Sequence, residues 1–165
     1  VSLSKIAIAF SLSLATTLSI AMSKPYDATV GAVIKDGMPC FFSLSPLDVP
    51  AYLQGHGVSM RMYSESGNGS GALWSVWFRK WQKTLPTTAA TCVVYGIKSP
   101  DNNQQPAKTL PVDAPLSFSF GGEWGRQNVE FCIRKDEKGR RYLSGVKRHD
   151  GIAECTETQL RNTEE

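Results

Sequence analysis

The strongest constraint on this chain is a strict two-residue alternation between positions 116 and 134. Leu116, Phe118 and Phe120 are separated by Ser117 and Ser119, and Val129, Phe131 and Ile133 by Glu130 and Cys132. Successive side chains of an extended strand point to opposite faces, so the pattern buries one face and wets the other. A helix would scatter the same residues around its circumference. The interruption, Gly121-Gly122-Glu123-Trp124-Gly125, is short and glycine-rich. The two runs therefore predict neighbouring strands of a meander.

The rest of the chain reads the same way. Val30, Ala32 and Ile34 are in phase, Asp36-Gly37 is a turn signal, and Met38 to Phe42 continues beyond it, which predicts a hairpin. Val58, Met60 and Met62 alternate with Ser59, Arg61 and Tyr63. Between Leu73 and Trp81, one face holds Trp74, Val76 and Phe78, while Trp77 lies on the other with Ser75 and Arg79. Thr91 to Tyr95 is a short β-prone run, and residues 99–109 form a polar, proline-bounded loop. Lys135 to Gly139 is a charged turn and Arg140 to Lys147 a returning arm. The tail from Ala153 is expected to hold one short turn at most. No segment shows an amphipathic helix of three turns. These features predict an all-β domain over residues 24–165: an antiparallel, immunoglobulin-like β-sandwich of about seven to eight short strands.

Residues 1–23 have a different character. Lys5 is their only charge, an apolar and small-residue run extends from Ile6 to Met22, and Ala21-Met22-Ser23 places small residues before Lys24. A basic start, an apolar centre and a small-residue end predict a secretory signal peptide over 1–23. A cut after Ala21 competes with one before Lys24. No cysteine follows the apolar run, so a lipid-modified terminus is not expected, and a membrane contact is expected only if the leader is retained. Loss of the leader removes Lys5 and leaves 17 basic against 15 acidic residues. That balance, together with export, argues against nucleic acid as a partner.

Export changes the meaning of the cysteines. Cys40, Cys92, Cys132 and Cys155 are separated by 51, 39 and 22 residues. An even count in an oxidising compartment predicts two disulfides, with three connectivities open. Zinc-type and redox-type spacings are missing. Cys132 lies on the strand face opposite Phe131 and Ile133, so its bridge is expected outside the core, clipping a neighbouring strand or terminus. The preferred pairing is Cys40 with Cys132 and Cys92 with Cys155.

Catalytic constellations are scarce. His56 sits between two glycines and His149 before Asp150, neither with a metal-spaced partner. Gly67-Asn68-Gly69-Ser70-Gly71 misses the nucleophile-elbow pattern by one place. Asp136-Glu137 and Glu164-Glu165 read as a solvated turn and terminus. No cofactor, metal or catalytic residue is assigned, and an enzyme is not expected. Two features suit binding. Residues 134–148 carry seven cations, Arg134, Arg140 and Arg141 among them, against two acids, while the tail from Glu154 is acidic. The tryptophans supply the second, with Trp77 and Trp81 the outward pair. His56 joins them as a loop residue beside glycine hinges.

Several segments carry a family resemblance. They are Asp36-Gly37-Met38-Pro39-Cys40-Phe41, Trp74-Ser75-Val76-Trp77-Phe78, Cys92-Val93-Val94-Tyr95-Gly96, the Leu110 to Leu116 stretch, and Val129-Glu130-Phe131-Cys132-Ile133. Over most of residues 28–155 the chain resembles a family of small periplasmic proteins of Gram-negative bacteria, mostly lipoproteins, described as type VI secretion immunity proteins. This sequence departs in lacking the lipid-acceptor cysteine. The resemblance implies a periplasmic protein that binds a cognate effector toxin and neutralises it by covering its active site. It transfers no catalytic residue, only the four cysteines as bridge formers. Two readings compete: a structural or adhesin-type envelope subunit, and a cell-wall or lipid hydrolase using His56 or His149.

Overall fold

The structure is a computed structural model that describes residues 28–44, 58–65, 71–78, 86–101, 104–122 and 125–162. The expected leader, His56, Arg79, Lys80, Trp81 and Trp124 lie outside the described residues. Among the described residues ten strands run in chain order: β1 Ala28–Lys35, β2 Met38–Ser43, β3 Val58–Ser64, β4 Ala72–Phe78, β5 Val93–Val94, β6 Gln104–Gln105, β7 Pro115–Gly122, β8 Gly125–Lys135, β9 Arg141–His149 and β10 Ile152–Gln159. A single 3₁₀ turn, Ala89–Thr91, is the one helical element among the described residues.

The alternating runs form strands in the expected phase. Leu116, Phe118 and Phe120 on β7 are buried, as are Phe131 and Ile133 on β8 and Val58, Met60 and Met62 on β3. The predicted hairpin at Asp36-Gly37 joins β1 to β2 with Lys35 opposite Met38. Its two turn residues have φ of 52° and 77°, the left-handed pair that a two-residue hairpin loop demands.

The architecture differs from a two-sheet sandwich. All ten strands belong to one hydrogen-bonded sheet, with the path β5-β2-β1-β8-β7-β3-β4-β6 and β9 and β10 branching from β8. The sheet curls on itself. Phe41 of β2 stacks on Phe118 of β7 with ring centroids 3.7 Å apart and planes 5° from parallel, so the β1–β2 arm folds over the concave face. Tyr95, just after β5, directs its hydroxyl at the carbonyls of Leu73 (3.1 Å) and Lys108 (2.9 Å) beside β4 and β6. The segment after β5 also donates the Ser99 N–H to Gln104 Oε1 of β6 at 3.2 Å, so the two ends of the path meet through side-chain bonds rather than through a ladder. The pairing is also not wholly antiparallel: Ala28 and Thr29 of β1 run parallel to Gln127 and Asn128 of β8. β1 then leaves β8 to pair with β2, and that change of partner curls the sheet.

The disulfides join Cys40 to Cys92 and Cys132 to Cys155. This corrects the preferred pairing. Cys40 lies opposite Val94 in the β2–β5 ladder, so Cys92 is already its neighbour. Cys132 projects from the outer face of β8, as its phase requires, and clips β10. The tail is the second correction, since residues 152–159 form a full strand against β9. Two disulfides belong to an oxidising, non-cytoplasmic environment.

Candidate interaction ribbon

β9 is held by β8 only from Arg141 to Ser144. Beyond Ser144 its partner is β10 alone, from His149 opposite Ile152 to Val146 opposite Cys155. The result is a two-stranded ribbon, which by itself would be marginally stable. Its turn is Asp150-Gly151, with φ of 50° and 81°, the same chemistry as Asp36-Gly37.

Several contacts fix the ribbon to the outer face of the sheet. The Cys132–Cys155 bridge anchors its base, with 5.8 Å between Cα atoms. Arg148 grips the Glu130 carboxylate of β8 with Nε 3.1 Å from both oxygens, and Nη2 bonds the same carboxylate. Nη2 also reaches Glu65 at 3.3 Å, whose other oxygen accepts from Ser117 Oγ at 2.6 Å. Hydrogen bonding and charge from Glu130, then from Glu65, raise the Arg148 pKa further above its ordinary value. Arg148 is therefore a fixed cation pinning the ribbon to β8 and to the end of β3.

The predicted basic residues are drawn into the same framework. Arg134 bonds Asp113 and Glu157, each at 2.8 Å, and ties β8 to β10. Arg140 bonds Asp136 at 2.7 Å within its own turn. The Asp136 carboxyl also accepts the Arg140 and Lys138 backbone N–H groups, and it is held below the ordinary carboxylate range, chiefly by the Arg140 N–H. Arg141 donates to the Gly37 carbonyl at 2.9 Å. Lys147 faces Glu154 at 3.4 Å. Two of these pairs, Arg134–Glu157 and Lys147–Glu154, join the basic segment to the acidic tail, which charge counting along the chain shows only as two opposite runs.

Free chemistry remains at the ribbon tip. Ile152 is 64% exposed, the most exposed large hydrophobic residue described. His149 lies opposite it and Asp150 in the turn beside it, both exposed, with Nδ1 and Oδ2 3.5 Å apart. Sequence reasoning missed this tip, although Asp150-Gly151 was the signal for it. Trp77 lies elsewhere, half-buried on the outer face of β4 as its phase predicts. No described group of three His, Cys, Asp or Glu residues is placed to hold a metal ion. No protein-family model, curated protein or solved structure matches the chain.

Proposed function

We propose that this chain is an exported binding protein that presents the β9–β10 ribbon to another protein, and that the partner is a secreted effector toxin neutralised in the periplasm. The toxin assignment rests on the family resemblance. The observation that carries the binding assignment is Ile152, held at the tip of a ribbon with its base bridged and its flank clamped. Isolated exposed apolar residues are common on surfaces. This one stands on an exposed, pre-ordered turn, where little conformational freedom remains to be lost on association. His149 and Asp150 supply polar contacts beside it.

The test is periplasmic co-production with the toxin encoded beside this gene. The intact protein is expected to restore growth. The Ile152→Asp variant is expected to fold normally and to bind about tenfold or more weakly. Unchanged toxicity with the intact protein would overturn the immunity reading. Full protection by a variant carrying both Ile152→Asp and His149→Ala would overturn the ribbon as its interface.

A further inference from the structure

The outer face of β3, β4 and β7 carries a second feature, remote in kind from the ribbon tip. A strand face is usually furnished with β-branched or aromatic side chains. Here the neighbouring positions are Ser59, Ser75, Ser119 and Gly121, with Arg61 and Trp77 standing among them. Arg61 lies between Ser75 and Ser119 in the register, and Ser59 lies between Trp77 and Gly121. A Cβ at position 121 would fall 2.7 Å from Ser59 Oγ, so glycine there leaves Ser59 its place. Over β3 and β4 lies an open trench of about 320 Å³ lined by Ser59, Arg61, Ser75, Val76 and Trp77. That is the low end of small-ligand sites.

Its chemistry is specific. Arg61 is exposed and makes no ion pair or hydrogen bond among the described residues, whereas Arg134, Arg140 and Arg148 are all engaged with acids. Trp77 and Arg61 are diagonal neighbours across β3 and β4, about 7–8 Å apart at that register. An indole face carries negative π density and takes the weakly positive C–H face of a pyranose ring. A guanidinium fork takes a carboxylate; the Ser59 hydroxyl donates to the Gly121 carbonyl at 3.3 Å and keeps its lone pairs to accept from a sugar hydroxyl, while Ser75 can both donate and accept. We propose that this trench binds a carboxylate-bearing pyranose: the ring on Trp77, the carboxylate on Arg61, the ring hydroxyls on Ser59 and Ser75. Serine lining favours a hydrated sugar over an apolar protein anchor.

The experiment titrates the full mature protein with a uronic-acid tetrasaccharide, N-acetylmuramic acid, a neutral glucose tetrasaccharide and a tetraglutamate peptide. The readout is the shift of the Trp77 indole N–H and Arg61 Nε–H resonances. At least one of the two acidic sugars is expected to shift both signals. Arg61→Gln, an exposed change that leaves the core intact, is expected to weaken that binding about tenfold or more. The neutral tetrasaccharide is expected to bind at least as weakly. The Ile152→Asp ribbon variant is expected to bind the acidic sugar normally, which separates this site from the proposed toxin interface. No shift with either acidic sugar would overturn the proposal, as would binding indifferent to Arg61→Gln. Equal binding of tetraglutamate would replace the sugar with a peptide carboxylate and overturn it as well.

Discussion

Tyr95 shows how much one side chain can decide. Its ring meets Trp74 edge-on at 5.3 Å and its hydroxyl faces two backbone carbonyls across the gap between the ends of the sheet path. Burial pushes its phenol above the ordinary value of 10. The fold therefore favours the neutral phenol, so this contribution is complete below pH 10 and is lost as pH rises through the folded-state value. Denaturation followed against pH is expected to show falling stability above pH 10, with a shallower fall in Tyr95→Phe. At neutral pH that variant is expected to lose about 0.5–1.5 kcal/mol. The low figure follows because the Leu73 carbonyl also accepts from Lys108 N–H and is not stranded. Gln127 is the opposite case. It is 1% exposed, on the inner face beside Phe120, and neither amide atom has a partner among the described residues. Gln127→Met keeps the volume and removes the polar cost. Urea titration is expected to show a gain of about 1–3 kcal/mol, and a loss would mean that the amide is bonded in solution.

The disulfides act on whole elements. Cys40–Cys92 spans 52 positions and Cys132–Cys155 spans 23. The chain-entropy relation gives about 4 kcal/mol for the first and about 3.5 kcal/mol for the second. Their structural consequences differ more than these values. β10 buries little of its own surface, and its position depends on the bridge, on Arg134–Glu157, and on Leu160 N–H bonding the Leu143 carbonyl. Replacing Cys132 and Cys155 by Ala is expected to speed hydrogen exchange through residues 146–160 while the 116–134 amides stay protected. Replacing Cys40 and Cys92 is expected to lower the urea midpoint of the whole domain, because β2 carries Phe41 into the core. Equal protection losses in both variants would show that the ribbon and core unfold as one unit. The elements were unevenly legible. The strands at 28–43, 58–64, 72–78 and 116–134 were readable because one face is buried, leaving an apolar alternation. β10 left none: Ile152, Glu154 and Thr156 alternate with Ala153, Cys155 and Glu157, a pattern set by pairing with β9 and by charge rather than by burial.

At the scale of the molecule, curling replaces layering. The sheet path ends in β5 and β6, strands of two residues each, and the phenol of Tyr95 ties those ends together. Very short strands at the path ends offer little backbone for pairing with another copy, and the longer free edge of β10 carries Glu154 and Glu157, whose like charges oppose pairing with a second copy. Sedimentation is therefore expected to show a monomer at every concentration tested, and concentration-dependent polymers would favour the envelope-subunit reading instead. The same curl sorts the surface. It directs Phe41, Phe118 and Phe131 inward as one aromatic cluster and leaves the outer face to serines, Arg61, Trp77 and the clamped ribbon.

The sequence by itself determined which side of most strands is buried, where the first hairpin turns, and that four cysteines form bridges. These are local properties, since the two-residue period and the φ demands of Asp-Gly act within a few residues. Tertiary structure alone decided the partners: Cys40 with Cys92, β1 beside β8, Arg148 with Glu130 and Glu65. Period fixes the face a residue occupies but leaves open which strand lies next to it. That choice rests on hydrogen bonds and packing between residues far apart in the chain, where many arrangements satisfy the same alternation. For the same reason the basic run at 134–148 looked like a surface patch until folding set its acids opposite it.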